Sequence, residues 1–228
     1  IVVGSPGELN FIAMHVLLEK EDHVVAVAPA YQSLHEVVHS IGCEISYWKP
    51  SEEWVFDVGQ LEELVRENTK LIIINFPHNP TGSYLTLEEL KKVVSIAESR
   101  DCIIFSDEMY HKLLADPDKE LPPISDLYEK GISLWGTSKS FGMAGLRTGW
   151  LVCRDQKFIQ KVIAFKDYLS ICSSAPSEIL SIIALNHIDE FLLPNIEKIQ
   201  HNINLFKTFS NNQALISSFT PPRAGSTA

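Results

Sequence analysis

Through the first 155 residues, short β-branched runs alternate with amphipathic stretches of helical period. The runs fall at residues 23–28, 44–48, 71–75, 102–106 and 132–135, and each is apolar almost throughout. Strands of that kind are buried on both faces, as in a parallel sheet covered by helices on either side. In the intervening stretch 87–100, Leu87, Leu90, Val93, Val94 and Ala97 share one helical face, and Thr86 with Glu89 forms a capping-box pattern at its start. The fold class is therefore α/β, a mainly parallel sheet sandwiched by helices. Ligands on such sheets bind at the carboxyl ends of the strands, so the residues that follow each run carry the functional information.

Beyond Asp155 the strand signal fades. Residues 156–210 read as helical, with Pro176 and Pro194 as breaks or first-turn positions, and 211–228 are turn-rich. A chain of 228 residues is long enough to bury a substantial core. Its opening, Ile1-Val2-Val3-Gly4, reads as the middle of a strand, and its last eight residues show no helix-ending pattern. Both features suggest a portion of a longer protein. With 19 basic against 29 acidic residues the net charge is −10, which argues against a nucleic-acid backbone as partner. No apolar run approaches a membrane span. Four cysteines include no Cys-x-x-Cys pair, and Cys43 and Cys102 sit among apolar neighbours. They read as small buried hydrophobes in a reducing, cytoplasmic compartment.

Two early motifs are ambiguous. His35-Glu36-Val37-Val38-His39 has the spacing of a two-histidine zinc site on a helix. No third ligand follows at a recognisable spacing, so it reads as a helix with two partly exposed histidines, and no metal is expected. Gly4-Ser5-Pro6-Gly7 precedes a helical pattern over 8–19 and offers a helix N-terminus to a phosphate, although Pro6 removes one donor. Glycine also serves many strand–helix turns for geometry alone.

The later strand ends are more informative. After 71–75 comes Phe76-Pro77-His78-Asn79-Pro80-Thr81-Gly82, a loop stiffened by two prolines that aims the Asn79 amide. After 102–106, Asp107 and Tyr110 place a carboxylate and a phenol three residues apart. After 132–135, a loop of small residues carries Lys139, with Arg147 eight positions on: a reactive amine beside an anion site.

Together these segments resemble the class I/II aminotransferases, the fold-type-I enzymes of pyridoxal 5′-phosphate (PLP). The family's lysine signature runs small-x-small-Lys, two free positions, then small-apolar-x-small-x-Arg-x-Gly, and residues 136–149 satisfy it throughout. The Asn-Pro-Thr-Gly loop, the Asp-x-x-Tyr pair and Pro29-Ala30-Tyr31 occur in the family's order, so the resemblance spans essentially all of 1–228. It implies a PLP-binding large domain over 1–188, then an interdomain helix and the start of an incomplete small domain over 189–228. It implies that Lys139 forms the Schiff base with PLP and shuttles the substrate proton, with Asp107 on the pyridinium nitrogen. Tyr110 and Asn79 match the pair on the ring's phenolate oxygen, Tyr31 the stacked aromatic, and Arg147 the phosphate-binding guanidinium. Gly4, Ser5 and Gly7 fall at the phosphate turn, and Ser138 matches a further phosphate contact.

The implied activity is transfer of an amino group between an amino acid and a 2-oxo acid, by a homodimer binding neither nucleic acid nor membrane. Elimination, cyclisation or oxidative deamination of an amino acid would use the same residues. A reading from another class is the aminotransferase-like sensing domain of a transcription regulator. Nothing DNA-binding occurs within these residues, and the net charge of −10 does not favour it. The sequence departs from the family at Gly136, where many relatives have serine, and at Pro6. The family's substrate-carboxylate arginine belongs to the small domain and is expected beyond residue 228, Arg223 lying in a turn rather than at a motif position.

Overall fold

The computed structural model describes residues 1–114, 116–211 and 220–227. Among the described residues seven strands form one sheet: β1 (Val2–Gly4), β2 (His23–Val27), β3 (Glu44–Trp48), β4 (Thr69–Asn75), β5 (Ile103–Asp107), β6 (Gly131–Gly136) and β7 (Gly149–Val152). Their spatial order is β1-β7-β6-β5-β4-β2-β3. All neighbouring pairs are parallel except those made by β7, which runs against both β1 and β6. Between and after them lie α1 (Pro6–Leu17), α2 (Ser33–Ile41), α3 (Val58–Leu64), α4 (Leu87–Ser99), α5 (Ile124–Leu127), α6 (Gln156–Lys166), α7 (Ala175–Asn186) and α8 (Ile188–Asn211).

The period of two along the strands sorts their side chains into two cores. Val24, Ala26, Leu71, Ile73 and Phe105 pack under α1, α2 and α6. Val25, Val27, Ile72, Ile74 and Ile104 pack under α3 and α4. This two-sided burial is why the runs of β2, β4, β5 and β6 are apolar without alternation, whereas β3, at the sheet edge, leaves Glu44 exposed and residues 45–47 half-buried. At the start of α4 the capping box is complete: Thr86 Oγ1 accepts from Glu89 N, and Glu89 Oε2 accepts from Thr86 N at 2.7 Å.

Several boundaries differ from expectation. β5 begins one residue later than the apolar run and ends on Asp107, because its pairing with β4 continues to Asn75–Asp107. β1 falls within the strand-like opening at residues 1–4, whereas β7, four residues long, is too short to show a period. Pro176 does sit in the first turn of α7, but Pro194 lies inside α8, which runs through it. That proline forfeits one helical hydrogen bond. The helix is held there by buried Leu192 and by Asn195, whose Nδ2 donates to Ser140 O at 3.0 Å. Of the turn-rich stretch 211–228, residues 212–219 and 228 lie outside the described residues. Cys43, Cys102 and Cys153 are buried, whereas Cys172 is exposed. Among the described residues no single helix is long and apolar enough to cross a membrane.

Candidate active site

The carboxyl ends of β4, β5 and β6 open, with the first turn of α1, onto one cavity of about 280 Å³. Lys139, Asp107, Tyr110, Asn79, Tyr31 and Arg147 all line it, as do Ser138 and Gly7. Gly4 does not. It pairs with Gly149 inside the sheet, where a side chain would press on Leu9 at 3.2 Å. Ser5 also stays off the wall and acts through Arg147, as described below.

Asn75, which ends β4 after the aliphatic run Leu71 to Ile74, organises the site at the strand ends. Its Nδ2 donates to Asp107 O at 2.8 Å, and its Oδ1 accepts from Asn79 N at 2.9 Å. One side chain thus ties the ends of β4 and β5 together and sets the start of the Asn79 loop. Asp107 is buried, and its Oδ1 accepts from Met109 N at 3.1 Å. Burial pushes its carboxyl up to about 6, against the opposing pull of that amide and of the Lys139 ammonium. Tyr110 is also buried, and Lys139 Nζ stands 5.7 Å from the centre of its ring. The lysine loop is moored to the same turn by Ser140, whose Oγ donates to His111 O at 2.6 Å and accepts from Trp135 Nε1 at 3.2 Å.

Arg147 brings a guanidinium to the cavity wall. Ser5 is the N-cap of α1, yet its side chain does not cap the helix and instead accepts from Arg147 Nη2 at 2.9 Å. Arg147 Nη1 donates to Ala144 O at 3.1 Å. The arginine itself has φ of 54°, a left-handed conformation that costs a non-glycine residue on the order of 1–3 kcal/mol and recurs at ligand sites. Ser138 Oγ, on the same wall, is buried with no hydrogen-bond partner. The departure at Gly136 has a steric cause: a Cβ there would lie 2.8 Å from Thr148 O and 2.9 Å from the Gly149 Cα.

Sequence reasoning passed over three residues that shape this site. Asn75 and Ser140 are the anchors just described. Asn10 lines the cavity from α1, donates through Nδ2 to Ser33 O at 3.0 Å, and keeps its Oδ1 buried and unpartnered. A readable signal existed for Asn10, a polar residue among Leu9, Ile12 and Ala13, and for Asn75; Ser140 gave none. Glu108 faces away from the cavity, accepting from Ile124 N at 2.9 Å and Ser133 Oγ at 3.0 Å. The paired histidines of α2 part company: His35 Nε2 bonds Val27 O at 2.7 Å, and His39 Nε2 bonds the Tyr47 hydroxyl at 2.9 Å.

This fold and cavity define a class, and comparison with known proteins identifies it. The chain belongs to the class I and II aminotransferase family, whose model matches residues 1–209. It is 26% identical over 206 residues to capreomycidine synthase from Streptomyces vinaceus, covering 89% of this chain and 52% of that protein. It is 30% identical over 198 residues to a probable N-succinyldiaminopimelate aminotransferase from Mycobacterium tuberculosis, covering 84% of this chain and 50% of the relative. The chain therefore spans about half the length of these relatives. Among solved structures, a PLP-dependent aminotransferase from Streptococcus suis superposes with a TM-score of 0.88 at 27% identity, over 97% of this chain and 65% of the other.

Proposed function

We propose that this chain is the PLP-binding domain of an enzyme that moves an amino group between an amino acid and a 2-oxo acid. The observation that carries the reading is the arrival of Lys139, Asp107, Tyr110, Asn79, Ser138 and Arg147 at one cavity from three strand ends. The residues present suit the cofactor. Arg147 and the unpartnered Ser138 hydroxyl, beside the start of α1, suit a phosphate. A buried carboxylate, Asp107, suits a ring nitrogen that must stay protonated.

When bound, PLP supplies an aldehyde that condenses with amines and a ring that takes up the electron pair left at the substrate Cα. The protein's share is positioning and proton control. Asp107 would hold the proton on the ring nitrogen. Tyr110 and Asn79 would hydrogen-bond the ring oxygen, and Tyr31, 56% exposed at the mouth, would cover the ring's open face. Lys139 Nζ would hold the cofactor at rest, and would then move the proton from the substrate Cα to C4′, the carbon that carried the cofactor's aldehyde.

The test is to incubate full-length protein with PLP, 2-oxoglutarate and a panel of amino acids, and to identify the carbon products. The corresponding oxo acids, with matching glutamate, are expected. The likeness to capreomycidine synthase favours a second reading, in which the same residues direct another bond change at the substrate. Cyclised or eliminated products without glutamate would select it.

A homodimer belongs to this reading. α7 buries only Ser181 and Ala184, leaving Ile179, Leu180, Ile182 and Ile183 exposed, and Tyr168, in the segment leading to α7, is 90% exposed. An apolar face of this kind suits an interface more than a free surface, and a second copy is its proposed occupant. Sedimentation of the full-length protein should give twice the chain mass, and Ile182→Glu should shift it towards monomer. A monomeric wild type at micromolar concentration would remove the proposal.

A further inference from the structure

Residues 222–225 lie far along the chain from the Asn79 loop and the Tyr110 turn, yet they touch both. Gly82, which closes the Asn79 loop, accepts through its carbonyl from Arg223 N at 3.0 Å and Ala224 N at 3.1 Å. Gly225 N donates to Leu113 O at 2.8 Å, and Ala224 bridges antiparallel to Leu114, just past Tyr110. The fit is close on both sides. A Cβ on Gly82 would stand 2.2 Å from Pro222 Cβ and 2.9 Å from Ala224 O, and Gly82 has φ of 66°. At Gly225, with φ of 76°, a Cβ would rest 3.5 Å from the Tyr110 ring and 3.8 Å from Pro77. α8 braces the same turn, packing Ile196 and Ile199 on Met109, Tyr110 and Leu113.

We infer that residues 222–225 are a positioning element of the site, a strap that seats the Asn79 loop against the Tyr110 turn and fixes the spacing of their side chains. The inference rests on the cofactor reading above, under which Asn79 and Tyr110 share one ring oxygen. Gly82 and Pro222 act through those two side chains and do not line the cavity. Shifting the strap moves one donor relative to the other, so it alters both cofactor affinity and the pH at which the ring oxygen and its surroundings titrate. A role confined to stability would leave that pH unchanged.

The experiment uses full-length protein, PLP as the probe, and three variants: Gly82→Ala, the double Gly82→Ala/Pro222→Gly, and the softer double Pro222→Gly/Ala224→Gly. Equilibrium dialysis gives PLP affinity, and the visible absorption of the bound cofactor from pH 5 to 10 gives the titration midpoint. Gly82→Ala is expected to weaken PLP about tenfold, in keeping with a forced side chain at a left-handed position, and to displace the midpoint. Removing the Pro222 ring in that background should recover part of both effects. The softer double, which introduces no clash, should displace the midpoint even if Gly82→Ala does not fold. Unchanged affinity and midpoint in the variants that fold would overturn the inference alone. No visible band in the wild type would overturn the cofactor reading, and this inference with it.

Discussion

Replacing Lys139 with alanine should lower amino-group transfer by the full-length protein by about four orders of magnitude, the upper end of what a positioned proton-transfer group contributes. The side chain is exposed at the cavity wall and its Nζ lies over the Tyr110 ring, so its removal opens no core void. Folding should therefore survive while the proton carrier is gone. Arginine should not substitute, because a guanidinium stays protonated at working pH and cannot act as the base. The chemical counterpart is borohydride reduction of the PLP-loaded protein followed by peptide mapping, with pyridoxyl label expected on Lys139. Label on another lysine, or a Lys139→Ala variant within about tenfold of wild type, would sink the assignment.

Asp107→Asn should act in two opposite directions. In the loaded enzyme an amide cannot hold a protonated ring nitrogen as a carboxylate does. If two or three pK units of preference are lost at about 1.4 kcal/mol each, turnover falls by about 10²–10³-fold. In the PLP-free protein the same change should stabilise the fold. The Asp107 carboxyl has an ordinary value of 3.8 and is pushed up to about 6 by burial. Between those pH values the folded protein keeps a proton that the unfolded chain has released. Stability therefore falls as pH rises through that window, by at most about 3 kcal/mol, and the loss is complete above pH 6. Asparagine carries no such charge. Melting curves of PLP-free wild type and variant at pH 4.5 and 7.5 should show the variant gaining most at 7.5. A variant that is no more stable at 7.5 than at 4.5, relative to wild type, would mean that Asp107 is not held ionised at a cost. Transfer within about twofold of wild type would mean that it is not the ring partner.

The molecule thus carries a buried acid, only partly compensated by the Met109 amide and Lys139, where a ligand's positive charge is expected, and an arginine in a strained backbone conformation where a negative one is expected. Both cost stability in the protein alone, and oppositely charged groups in the cavity would offset those costs.

How much of this was readable in advance depends on the range of each interaction. β2, β4, β5 and β6 were legible because their burial on both faces leaves a local, continuous apolar imprint, as at residues 71–74, while the edge strand β3 was legible from its β-branched and aromatic residues. Asp107 and Lys139 were legible because each follows such a run, and the carboxyl end of a parallel strand is where a sheet presents side chains to a ligand. The capping box before α4 was legible because all its partners lie within four residues.

The remainder depended on pairings between distant parts of the chain. β7 reverses direction against β6, and its four residues carry no imprint of that choice. Gly136 and Gly149 look like ordinary loop glycines until the two strands meet and leave no room for a Cβ at either. Ser5 was read as part of a phosphate turn, and its side chain is the partner of Arg147, 142 residues away. The turn-rich end, expected to start another domain, has residues 222–225 seated on the Asn79 loop and the Tyr110 turn. Period, composition and motif order are local quantities, so the sequence by itself determined the α/β class and the chemistry on offer at each strand end. Which of those groups share one cavity, and what holds them at their distances, was decided by contacts between segments far apart in the chain, and those exist only once the sheet has assembled.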